Sequence, residues 1–172
     1  ELGIYVITAD YLPDNIAHKY SDEYHNVSII DKDAILQLAE DLQIDGIVSY
    51  ATDPGVVVAA YVAENLGLPT SPYKSVKILQ NKGKFREFLR DNNFNVPYSE
   101  TFKEYSEVEL SKFKFPIIVK PVDSAGSKGV TRVDDETALR AAFEYALKYS
   151  ITGEVIIEEF NEKKGYSTDT DS

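Results

Sequence analysis

The chain has no cysteine and no methionine among its 172 residues. Without cysteine there is no disulfide framework and no thiolate metal site, and a cytoplasmic location is the expectation. With no methionine even at position 1, the expectation is a chain cut at its start. Histidine is scarce too. His18 and His25, seven residues apart, match no metal-ligand spacing and read as surface or loop residues. No apolar run approaches the roughly 20 residues of a membrane helix, so no membrane partner is expected. Glu1-Leu2-Gly3-Ile4 lacks the basic start and long apolar stretch of a signal peptide. Positive charge is the minority: 18 Lys and Arg against 29 Asp and Glu give a net charge of -11, which repels a nucleic-acid backbone. Any phosphate site must therefore be a local concentration of cations. Three familiar devices are also missing: the P-loop with its Gly-Lys-Ser/Thr ending, the three-glycine dinucleotide fingerprint, and the Gly-x-Ser-x-Gly nucleophile elbow.

What remains is an ordinary globular composition, 43% hydrophobic and 27% charged, long enough for one domain or two small ones. The 12 tyrosines are scattered through predicted elements, which favours packing over a base-stacking surface. The run from Phe115 to Val130 carries the most information. Pro116 stands at the start of a strand, where a missing N–H is tolerated. Ile117, Ile118 and Val119 form a continuous β-branched run, as in a strand covered on both faces. Lys120 ends the strand, and Ser124, Ala125, Gly126, Ser127 and Gly129 make a low-bulk loop whose N–H groups can approach an anion. Lys128 adds a second cation. The simplest ligand for such a loop is a polyphosphate; an ordinary hairpin turn with surface lysines is the alternative.

Periodicity places the other elements. Strands are expected at Ile4 to Ala9, Asn26 to Ile30 and Ile47 to Tyr50. A helix opens at Asp31 or Lys32 with the stripe Ile35, Leu38, Ala39 and Leu42. A second starts at Thr52-Asp53-Pro54, with a capping side chain and a first-turn proline, and stops at Gly67. This alternation predicts a parallel, doubly wound sheet over residues 1 to about 70. Leu68-Pro69-Thr70-Ser71-Pro72 is a boundary, followed by helices Tyr73 to Gln80 and Lys82 to Asn92, the latter with Phe85, Phe88 and Leu89 on one face. Ser106-Glu107-Val108-Glu109 reads as a capping box opening a short helix. After the loop come a return strand, a helix from Asp135 to about Tyr149 and a strand from Glu154 to Phe160. The fold class expected is thus α/β followed by α+β.

Four segments, in this order and spacing, resemble the ATP-grasp superfamily, in the branch of carbamoyl phosphate synthase large subunits, biotin carboxylase and glycinamide ribonucleotide synthetase. They are Ala51-Thr52-Asp53-Pro54 to Leu68-Pro69, Asn81 to Leu89, Phe115 to Val130, and Val155-Ile156-Ile157-Glu158-Glu159-Phe160. The resemblance implies a Rossmann-like pre-ATP-grasp domain over residues 1–71, linking helices over 72–97, and part of an ATP-grasp fold over 98–172, with both ends of the chain cut. It implies that Lys82 and Lys120 contact the nucleotide phosphates. Ser124, Ala125, Gly126, Ser127, Lys128 and Gly129 would form the lid over them. Glu158 would be an acidic residue beside adenine. Glu159, Phe160 and Asn161 would form the edge that reads the adenine rim. Solvated lysines and a pair of exposed glutamates are the plainer readings of the same residues.

The activity so implied is an ATP-dependent carboxylate–amine ligase working through an acyl phosphate, either carbamoyl phosphate synthase-like or glycinamide ribonucleotide synthetase-like. Its partners would be ATP with Mg²⁺, a small carboxylate or bicarbonate, and an amine, and a homodimer is left open. A non-catalytic nucleotide-binding module is the alternative. A phosphotransferase of another fold should show a catalytic aspartate–asparagine loop, which is not found. One departure stands out. The family pattern Gly-x-Glu-x-Ser-x-Asp meets Gly165-Tyr166-Ser167-Thr168-Asp169, without the glutamate. The Mg²⁺ ligands are expected outside this chain, and no catalytic residue is assigned.

Overall fold

A computed structural model describes residues 2–50 and 52–161. The chain divides into two compact units, one ending at Gln80 and the other beginning at Asn81.

In the first unit, β1 (Ile7–Ala9) pairs in parallel with β2 (Glu23–His25), Ile7 opposite Glu23 and Ala9 opposite His25. Between them lies a 3-10 turn, Ile16–Tyr20, opened by the Asn15 side chain accepting from Ala17 N–H. Helix α1 (Lys32–Asp41) begins where Asp31 accepts the Ala34 N–H, satisfying a donor that the first turn leaves unpaired. Helix α2 (Asp53–Leu66) has a proline in its first turn and ends at Gly67, whose φ of 68° suits glycine at that stop. Helix α3 (Tyr73–Gln80) follows. Ile35, Ala39, Val58 and Val62 form the buried core, with Val27, Ile44, Ile47 and Leu66 packed around it.

Three local expectations are corrected here. The second strand lies at Glu23–His25, before the apolar run Asn26 to Ile30, because the Val6 carbonyl and β1 take their partners from Asp22 onward. Ile47 to Tyr50 is not a strand. Only Ile47 packs inward, while Val48 and Tyr50 are exposed, and a β-rich run with no neighbouring strand among the described residues has no ladder to join there. Thr52 does not cap α2 with its side chain; its hydroxyl donates to the Tyr50 carbonyl instead.

The second unit contains helix α4 (Lys82–Asp91), β3 (Ser99–Phe102), β4 (Ile117–Pro121), β5 (Thr131–Val133), helix α5 (Leu139–Tyr149) and β6 (Val155–Glu159). The four strands make one antiparallel sheet in the order β3-β6-β4-β5. One face packs on α5: Ile117, Val119, Val133, Val155 and Ile157 from the sheet meet Leu139, Ala142, Phe143 and Ala146 from the helix. β4 is therefore covered on one face by this core and not built as a uniformly apolar strand: Ile117, Val119 and Pro121 are buried while Ile118 and Lys120 are only partly so. Alternation of side chains along a strand explains the pattern. The expected helix at Ser106 is replaced by short 3-10 turns, Tyr105–Glu107 and Leu110–Lys112. Glu107 closes the first by accepting from the N–H groups of Lys103 and Glu104.

Candidate functional site

The antiparallel register decides which side chains meet. β4 and β6 place Ile118 opposite Glu158 and Lys120 opposite Ile156. Opposed residues project to the same side, and residues two apart in a strand share a face. Ile118, Lys120, Ile156 and Glu158 thus lie on the face away from α5. β5 adds Arg132 opposite Ile118, and β3 adds Ser99 opposite Glu158.

Helix α4 brings the remaining cations. Asn81 caps it by accepting from Lys84 N–H at 3.0 Å, and the Lys82 N–H, which a first turn leaves free, donates to the Val122 carbonyl at 2.8 Å. The helix lies close to β3. A Cβ on Gly83 would stand 2.5 Å from Thr101 Oγ1, so glycine is what permits the approach. Lys82 and Arg86, four residues apart, share one side of α4. Lys82 Nζ donates to the Ser124 carbonyl at 2.8 Å, tying the helix to the start of the loop.

At the centre stands Glu158, 6% exposed. Lys120 Nζ donates to its Oε1, and Arg86 Nε donates to its Oε2 at 3.1 Å. Burial pushes the Glu158 carboxyl up, but the hydrogen bonds and charges of Lys120 and Arg86 outweigh it, so the group sits below the usual carboxylate range. It is an ionised carboxylate with a cation on each oxygen.

These residues border a cavity of about 530 Å³, a size suited to a cofactor-sized ligand. Lys82, Lys120, Ser124, Ser127, Glu158, Glu159, Phe160 and Asn161 line it, as do Arg86, Pro97, Ile118 and Val130. Ala125, Gly126, Lys128 and Gly129 do not line it. The Phe160 ring carries the Arg132 guanidinium at 4.6 Å from its centre, which braces that wall. A smaller cavity of about 260 Å³ borders Glu87, Arg90 and Glu100, but Arg90 is already committed to the Ser99 carbonyl at 2.9 Å.

The loop has a fixed foot and an exposed tip. Asp123 accepts from the N–H groups of Ile151 at 3.0 Å and Thr152 at 2.7 Å and from the hydroxyls of Ser150 and Thr152. Ala125 to Lys128 are exposed. Gly126 and Ser127 hold positive φ values of 65° and 55°. Gly129 is buried with φ at 75°, and a Cβ there would meet Pro121 at 3.0 Å and Tyr149 at 3.1 Å. Its smallness serves packing, whereas the low-bulk reading assigned it to anion approach.

Arg86 escaped the sequence reading because α4 was read for its apolar stripe, although its four-residue spacing from Lys82 was the available signal. Ile118 stands inside a continuous apolar run, so composition alone does not set it apart from Ile117 and Val119. The departure at Gly165 to Asp169 lies outside the described residues. Among the described residues no group of three or more histidines or carboxylates could hold a metal ion, and no helix is long and apolar enough to cross a membrane.

Comparison with known proteins gives the family of the chain. The profile of the family described as D-ala D-ala ligase C-terminus matches residues 62–167. A formate-dependent phosphoribosylglycinamide formyltransferase of Burkholderia pseudomallei (strain 668) is 28% identical over 171 residues, covering 92% of this chain and 41% of that protein. The crystal structure of an L-amino acid ligase from Bacillus licheniformis superimposes with a TM-score of 0.69 at 26% identity, covering 92% of this chain and 39% of that one. That of N5-carboxyaminoimidazole ribonucleotide synthetase from Thermotoga maritima gives 0.64 at 26%, covering 94% and 41%. The chain spans about two fifths of the length of the curated relatives it matches. With a matching profile over more than half its length, and a mixed α/β fold shared with ATP-grasp ligases, the chain belongs to the D-ala D-ala ligase C-terminus family of ATP-grasp domains.

Proposed function

We propose that this chain supplies the nucleotide-binding face of an ATP-dependent carboxylate–amine ligase. The observation that carries the reading is the convergence of Lys82, Lys120, Ser124, Ser127, Glu158, Glu159, Phe160 and Asn161 on one cavity of the sheet face opposite α5. Cations and an aromatic ring lining one cavity suit a ligand with a polyphosphate and a flat base. In this reading Lys82 and Lys120 meet the phosphates, and the loop 124–129 covers them. Phe160 walls the base, while the backbone of residues 159–161 and the Glu158 carboxylate read its edge. Within the unit ending at Gln80, residues 1–71 serve as the pre-ATP-grasp, Rossmann-like domain.

The reaction in this reading runs in two displacements. A carboxylate or bicarbonate oxygen attacks the γ-phosphorus and ADP leaves. The amine then attacks the acyl carbon and phosphate leaves. The relatives' names fit an oxygen acid on the activated side: one is formate-dependent, and another ligates amino acids. This chain's residues would hold and orient the phosphates and exclude water. Mg²⁺, which the family implies, would neutralise phosphate charge. The described residues offer it no ligand set, and no step is derived through it.

Calorimetric titration of the intact protein with a non-hydrolysable ATP analogue tests the reading. Lys120→Met removes a charge-assisted hydrogen bond worth roughly 1.5–3 kcal/mol while keeping the apolar stem, so affinity should fall by about one to two powers of ten. Lys148→Met, an exposed control on α5, should leave it unchanged. Equal affinities for Lys120→Met and the unsubstituted protein would remove the lysine from the phosphate site.

A further inference from the structure

Two of the three described cations that line the cavity rest on one carboxylate: Lys120 on Glu158 Oε1 and Arg86 on Oε2. The Lys120 and Arg86 side chains are 16% and 26% exposed, and that of Glu158 is 8%. On the nucleotide reading above, on which this inference rests, Lys120 must turn at least part of its ammonium from Glu158 to a phosphate. If Lys120 were its only counter-ion, a carboxylate this enclosed would be heavily penalised by that turn. It would then take up a proton or pull the lysine back.

Arg86 removes that conflict. Its Nε bond to Glu158 is its one polar contact among the described residues, and its side chain borders the same cavity. No other described cation serves Oε2. Lys82 donates to the Ser124 carbonyl, and Arg90 donates to that of Ser99. We infer that Arg86 is a positioning residue: it holds the Glu158 carboxylate in place and compensated when Lys120 turns to the phosphates, and so makes that lysine available to the ligand. The lowered Glu158 carboxyl, held down by two cations against its burial, fits this division of labour.

A double-substitution cycle on the intact protein, read by calorimetry with the same ATP analogue, tests it. Arg86→Met should weaken binding about tenfold, the effect of one charge-assisted hydrogen bond withdrawn from the phosphates as Lys120 stays on Glu158. In a Glu158→Gln background the neutral amide needs no counter-ion, so the same Arg86→Met change should alter affinity by less than about twofold. Arg86→Lys keeps the charge, reads the same cycle if the methionine variant does not fold, and should bind within about threefold of the unsubstituted protein. An unchanged affinity in Arg86→Met overturns the inference. So does an equal tenfold loss in both backgrounds, which would make Arg86 a direct ligand or a general support of the fold, and so does a tenfold loss in Arg86→Lys that persists in both. In each of these cases the unsubstituted protein still binds the analogue. Failure of the unsubstituted protein to bind it overturns the nucleotide reading, and this inference with it.

Discussion

The two units solve the burial problem differently. The first has a two-stranded parallel sheet among the described residues and a small core of Ile35, Ala39, Val58 and Val62, while Leu2, Ile4, Tyr5, Val48 and Tyr50 stand exposed. The second has four antiparallel strands on one helix, with Ile117, Val119, Val133, Leu139, Val155 and Ile157 all at 0%. Parallel sheets are stable when covered on both faces, whereas an antiparallel sheet needs covering on only one. The second unit packs its hydrophobic core between one face and α5, and part of the other face, beside α4, is left for charge. That is where Lys120, Glu158 and the cavity lie.

Matched truncations in the two cores give the largest expected contrast. Ile157→Ala should cost toward the upper end of the roughly 2–5 kcal/mol found for such changes, because its surroundings are closed, and Ile35→Ala toward the lower end, because a smaller core can relax. Differential scanning calorimetry of both variants checks this, and equal losses would break the comparison.

Acid sharpens it next. The Glu158 carboxyl lies below its unfolded-state value, so it stabilises the fold above that value, and the contribution is lost as pH falls through the folded one. Urea midpoints taken between about pH 5 and 3 should fall more steeply for the unsubstituted protein than for Glu158→Gln. Parallel slopes would show that the ion cluster adds nothing to acid stability.

The smallest effect belongs to an exposed aromatic of the first unit. Tyr50, 91% exposed, should tolerate Tyr50→Ser within about 0.5 kcal/mol by thermal melting. A larger loss would mean that the residue is covered in solution.

Much of this was legible from local pattern. The Asp31 cap and the stripe at Ile35 and Ala39 located α1; Pro54 and Gly67 bracketed α2; the β-branched runs at Ile117 and Val155 located β4 and β6. Where a segment's state depended on a distant partner, the pattern failed. Val48 and Tyr50 have strand chemistry but no strand beside them among the described residues, and Glu23 to His25 has little of it yet pairs with β1. Ile118 reads like its neighbours and faces the cavity instead of the core.

The sequence by itself determined helices α1 to α5, the strand-ending lysine and the low-bulk loop, because capping, periodicity and turn chemistry act over a few residues. Only the tertiary structure decided that Lys120 meets Glu158 across 38 positions and that Arg86 meets it across 72. Those partners are chosen by strand register and by how closely α4 approaches the sheet at Gly83. Register depends on which face is buried, and burial is a property of the whole unit.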